Sequence, residues 1–193
     1  MRRIRSTVVS KPQSPVEICI LAGGLSTRMG RDKARLRVSG RSLLSRVRAL
    51  AQPFAKPRVI RKDRVPRCGP LGGLVTGLKT ARAPAVLFLA CDMPFVSERL
   101  LRNLIAASGG VRSAFVTQNG LVGFPFVIPA SQLRTVERQI VRGEFSLQRL
   151  ASALEAARIP VPQRSRQLFN VNTPADLRMA EAWTAAGTKR RSC

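Results

Sequence analysis

Residues 85–90 read AVLFLA, six apolar residues in an unbroken row between Pro84 and the segment CDMP at 91–94. Such a run is far shorter than the roughly 20 residues of a membrane span. It also lacks the polar alternation of a half-exposed strand. A strand of this kind is buried on both faces, which occurs mainly in a parallel sheet covered by helices. VEICIL at 16–21 reads as a second buried strand, with a short strand at 59–60 and others at 113–117 and 124–128. Between them apolar residues recur at helical spacing: Leu43, Leu44, Val47 and Leu50; Leu100, Leu101, Leu104 and Ile105; Leu133, Val136 and Ile140; Leu147, Leu150 and Leu154. A helix is expected from about Leu71 to Ala81, and a last one opens with Thr173 as cap, Pro174 in the first turn and Asp176 near its positive end. Strand–helix alternation from end to end gives an α/β domain with a mostly parallel sheet and right-handed crossovers. One domain over 16–187 is expected, with a basic arm at 1–15 and a basic tail at 188–193.

The chain contains no His and no Tyr, which removes imidazole acid–base chemistry, His metal sites and Ser-His-Asp triads. Chemistry must come from Asp, Glu, Lys, Arg, backbone amides or a metal. Lys and Arg number 34 against 10 acidic residues, a net charge of +24. Setting aside the four basic residues of the first eleven and the three at 189–191, the body still carries a net +17. Such a field concentrates polyanions, with phosphate-bearing small molecules favoured over nucleic acid, or it reflects a basic proteome. No apolar segment follows the basic start in the manner of a secretory leader. Cys19, Cys68, Cys91 and Cys193 show no metal spacing, and those in strands act as small hydrophobes. These features predict a cytoplasmic protein with no membrane partner.

In open parallel sheets ligands bind beyond the carboxyl ends of the strands. Unusual residues stand at three such ends. LAGGLSTRMGRDKA at 21–34 offers Gly23 and Gly24, where backbone amides can approach a polyphosphate, with Arg28 and Lys33 as nearby cations. It fits neither the Walker A nor the GxGxxG spacing, so a plain turn is the competing reading. LACDMP at 89–94 places Asp92 where it could hold Mg²⁺ or cap a turn. GPLGGL at 69–74, preceded by Asp63, shapes a loop into a helix whose N-terminus offers amides, or a structural turn. FNVNTPADL at 169–177 sets Asn170 and Asn172 at period two, two amides on one face of an extended segment.

In this order, LAGGLSTRMGRDKA, GPLGG, LACDMPF and NVNTPADL resemble the molybdenum cofactor guanylyltransferases, the MobA-like nucleotidyltransferases, over roughly residues 16–182. LAGG with GPLGG and NVNTPADL is the more specific part and favours guanylyl over cytidylyl transfer. The resemblance implies a three-layer Rossmann-like nucleotidyltransferase fold and transfer of GMP from GTP to molybdopterin, with release of pyrophosphate. It implies that Leu21, Ala22 and Gly23 contact the nucleotide and that Lys33 faces its phosphates; the loop itself adds Gly24 beside the nucleotide and Arg28 as a further cation at the phosphates. Asp63 would be the carboxylate of the nucleotide pocket, Asp92 the Mg²⁺ ligand, and Asn170 and Asn172 the pterin-side contacts. Transient contact with molybdoenzymes belongs to the same expectation. Neighbouring readings are cytidylyl transfer to molybdopterin, nucleotidyl transfer to a sugar phosphate, or a basic nucleotide- or RNA-binding relative without catalysis. Between the helix at 43–50 and Asp63 the chain is shorter than the resemblance leads one to expect, by about a strand–loop unit, and PRVIRKD carries no Asn.

Overall fold

The computed structural model describes residues 16–23, 33–65 and 67–189, with backbone alone at Lys33 and over 187–189. Gly24, Arg28, the arm at 1–15 and the end of the tail lie outside the described residues.

VEICIL forms β1 (Val16–Leu21) and AVLFLA forms β5 (Ala85–Ala90). They pair in parallel from Val16 opposite Ala85 to Leu21 opposite Ala90. On the other side of β1 lies β4 (Arg58–Ile60), also parallel, with Leu21 opposite Ile60. The remaining main strands are β6 (Ala114–Gln118), β7 (Leu121–Pro129) and β8 (Ala157–Pro160), giving the order β4-β1-β5-β7-β6-β8. The small hairpin β2 (Arg37–Val38) with β3 (Arg41–Ser42) stands apart.

One strand departs from the expected crossovers: β7 runs antiparallel to both β5 and β6. The cause is local. Asn119 and Gly120 adopt φ of 53° and 75°, the left-handed pair that closes a two-residue hairpin and turns the chain straight back. The short β8 was not expected from the sequence. It alternates half-buried and exposed residues and ends at Pro160, as an edge strand tolerates.

The helices are α1 (Leu43–Ala51), α2 (Pro70–Lys79), α3 (Glu98–Ser108), α4 (Leu133–Val141), α5 (Leu147–Ala153) and α6 (Pro174–Lys189). Val16, Ile18, Ile20, Leu87 and Leu89 point to one face of the sheet and pack with Leu44 and Val47 of α1 and Leu100, Leu101 and Leu104 of α3. Cys19, Val86, Phe88, Phe115 and Phe126 point to the other, against Leu71, Leu74 and Leu78 of α2, Val136 of α4 and Leu150 of α5. The period-two split of one strand between two cores makes three layers. Burial pushes the Cys19 thiol up to about 11, so it behaves as the small hydrophobe its place in β1 requires. Helix α6 runs through Lys189. No described helix is long and apolar enough to cross a membrane.

Candidate active site

The parallel register brings Ile60, Leu21 and Ala90 to one level, so the loops that follow β4, β1 and β5 begin side by side. Two backbone hydrogen bonds extend the alignment past the strands. Ala22 N–H donates to Ile60 O at 2.8 Å, and Cys91 N–H donates to Leu21 O at 3.1 Å. Three of the four sequence motifs therefore meet at one edge.

Gly23 sits where a Cβ would lie 2.7 Å from the carbonyl oxygen of Arg61, so no larger residue fits without moving the β4 loop. The glycines of GPLGG have a related role. A Cβ on Gly72 would stand 2.2 Å from Val65 O, and one on Gly73 would lie 3.0 Å from Leu21 Cδ1 and 3.3 Å from Asp63 Oδ1. Helix α2 is thus pared down so that the Asp63 loop and Leu21 can lie against it. Burial pushes the Asp63 carboxyl above its ordinary value. At the start of α2 Pro70 has no N–H, and Leu71 N–H donates to Cys68 O at 3.2 Å. The motif's contribution is close approach more than free donors.

Lys33 opens a single 3₁₀ turn (Lys33–Arg35), fixed by Ala34, which is buried in the α1/α3 core. Asp92, half-buried, follows β5 in a turn. The fourth motif comes to it directly: Val171 N–H donates to Asp92 O at 2.9 Å. Val171 is buried among Val38, Leu43 and Ala180, while its neighbours Asn170 and Asn172 are exposed. The start of α6 is locked by a reciprocal cap. Asp176 Oδ2 accepts from the amides of Asn172 and Thr173 at 2.9 and 2.8 Å, and Thr173 Oγ1 accepts from Asp176 N–H at 3.1 Å.

Among the described residues no group of three or more His, Cys, Asp or Glu could cage a metal. Mg²⁺ needs no such cage. It takes one or two carboxylates and completes its shell with phosphate oxygens and water, so a single hard oxygen donor at a strand end, as at Asp92, fits that ion and not zinc.

Sequence reasoning missed one part of this edge. Phe95, three residues after Asp92, and Phe169, just before Asn170, pack at 6.2 Å and both meet Trp183 of α6, at 5.6 and 4.8 Å. The signal was present, since this chain has only eight Phe and one Trp and two of these stand beside the motifs. Arg166 lies over Trp183, its guanidinium carbon 4.4 Å from the ring centroid.

Known proteins match this chain in sequence and in fold. The profile of the MobA-like NTP transferase domain matches residues 18–161. A protein named "probable molybdenum cofactor guanylyltransferase" from Opitutus terrae is 35% identical over 182 aligned positions, covering 81% of this chain and 90% of its own. The molybdenum cofactor guanylyltransferase of Pseudomonas putida is 33% identical over 183 positions, covering 84% and 96%. The crystal structure of molybdopterin-guanine dinucleotide biosynthesis protein A from Archaeoglobus fulgidus shares the fold, with a TM-score of 0.69 at 21% identity over 88% of this chain and 99% of that one. The 182 aligned positions exceed 81% of 193 residues, so the Opitutus protein has residues with no counterpart here.

Proposed function

We infer the activity of this chain from the family to which it belongs, the MobA-like NTP transferases, and from the edge where its four motifs gather. We propose that it transfers GMP from GTP to the terminal phosphate of molybdopterin, releasing pyrophosphate and forming the guanine dinucleotide cofactor. The names of relatives at 33–35% identity support the reaction. The observation that carries the reading is the bond from Val171 to Asp92, which joins the strand-end loops to the Asn170/Asn172 segment. A nucleotide half and an acceptor half thereby share one edge.

The nucleotide would lie along Leu21, Ala22, Gly23 and Gly24, with Lys33 and Arg28 beside its phosphates. Asp63, brought against Leu21 and Gly73, would accept from the N1–H and N2–H₂ of guanine, two donors that match a carboxylate fork and that neither cytosine nor adenine presents. Asn170 and Asn172 would contact the pterin. Asp92 would hold Mg²⁺, which when bound neutralises charge on the triphosphate and on the departing pyrophosphate.

A phosphate monoester has a second pKa near 6 and is largely dianionic at neutral pH, so the acceptor needs no general base. That suits a chain without His. The acceptor oxygen attacks the α-phosphorus, the α–β bridging bond breaks, and its electron pair leaves on pyrophosphate. The residues' task is to align two anions and offset their repulsion, which Lys33 and Arg28 do by charge and the strand-end loops by position. Incubation with molybdopterin, Mg²⁺ and GTP, CTP or ATP in turn, following pyrophosphate, tests the proposal. GTP alone should support rapid release. A CTP preference would make the chain a cytidylyltransferase, and release from none would leave a binding protein.

A further inference from the structure

Arg166 stands out among the many arginines of this chain. Several of the others pair with carboxylates, as Arg102 does with Glu98 and Arg149 with Glu144. Arg166 is exposed, yet no carboxylate among the described residues pairs with it. Its guanidinium instead lies over the face of Trp183 at 4.4 Å. Stacking restrains a long side chain that would otherwise sample many rotamers, and it leaves the N–H edges of the planar fork open for an anion.

The segment that carries it is pinned from two sides. Gln118 Nε2, at the end of β6, donates to Pro162 O at 2.8 Å, and Val161 N–H donates to Thr117 O at 2.8 Å. The Ser97 hydroxyl, at the entrance to α3, donates to Gln167 Oε1. Trp183 belongs to the aromatic cluster with Phe95 and Phe169, whose chain neighbours lead to Asp92 and Asn170. The guanidinium is therefore a preset cation on the acceptor half of the edge.

We propose that Arg166, held on Trp183, binds the terminal phosphomonoester of the acceptor. The inference rests on the reading of the chain as a transferase to a phosphorylated acceptor and assigns it a specificity residue. A planar fork matches two phosphate oxygens at once, which a Lys ammonium does not. The same chemistry could come from the γ-phosphate of the nucleotide, and kinetics separate the two sources.

Trp183 is the only Trp, so its fluorescence reports on the face that Arg166 covers. Wild type, Arg166→Lys and Arg166→Ala are titrated with glycerol 2-phosphate, a phosphomonoester that does not absorb. A saturable fluorescence change in wild type, weakened at least tenfold in Arg166→Ala and partly restored in Arg166→Lys, supports the site whichever nucleotide the chain uses. No change in wild type, or equal titration in folded Arg166→Ala, overturns it. In turnover with GTP and molybdopterin, Arg166→Ala should raise KM for the acceptor tenfold or more while KM for GTP and kcat stay within about threefold. A rise in KM for GTP alone would place Arg166 on the nucleotide and refute the assignment. Failure of wild type to use molybdopterin, with the fluorescence response intact, would instead remove the acceptor's identity and keep the phosphate site.

Discussion

Val171 donates its backbone N–H to the carbonyl oxygen of Asp92 at 2.9 Å, joining residues 79 positions apart in the chain. The bond sets the Asn170/Asn172 segment beside the end of the central strand. Asn170 and Asn172 are exposed while Val171 is buried, so alanine at either Asn should leave folding nearly unchanged, as surface substitutions usually do. KM for the acceptor should rise about tenfold, the loss of one hydrogen bond to a bound ligand, with KM for GTP unaltered. Steady-state kinetics with each substrate varied in turn checks this.

If Asp63 holds the guanine, GTP binding should depend on pH. Burial raises its pKa above the ordinary 3.8, so between that value and the raised one the folded chain keeps a proton that the unfolded chain has lost. Stability contributed by the protonated form is lost as pH rises through this window, and the penalty is complete above it. Nucleotide binding runs the other way, because only the carboxylate can accept both guanine donors. GTP affinity should fall as pH drops through the raised pKa, and Asp63→Asn should abolish that dependence while weakening GTP at neutral pH. Calorimetric titrations across pH, with each variant's folded fraction checked, measure both effects.

Gly72→Ala should destabilise the chain by about 1–3 kcal/mol, because the new methyl would meet backbone at Val65 O, 2.2 Å away, and backbone yields less easily than a side chain. Denaturant unfolding gives the stability change. GTP affinity should fall further than the folded fraction accounts for, since the displaced loop carries Asp63.

Much of the fold was legible because hydrophobic period determines it. AVLFLA and VEICIL are strands and the expected helical stripes are helices. The antiparallel β7 was less legible because a strand's direction is fixed by its turn, and Asn119-Gly120 carries that information in two residues. The site was legible as motifs at strand ends, but not in its assembly. The role of Gly72 and Gly73 depends on Asp63 and Leu21 arriving from other elements, and the Trp183 cluster depends on α6 docking beside Asp92. Contacts between distant segments leave no period in a sequence.

The most direct measurement is pyrophosphate release by Asp92→Asn with GTP, molybdopterin and a range of Mg²⁺ concentrations. The amide keeps the size of the side chain but removes the charge a magnesium ion requires. Turnover should drop on the order of 100-fold or more, with thermal unfolding close to wild type. A folded Asp92→Asn protein with near-normal turnover at every Mg²⁺ concentration would contradict the account, leaving Asp92 a turn residue and placing the chemistry elsewhere.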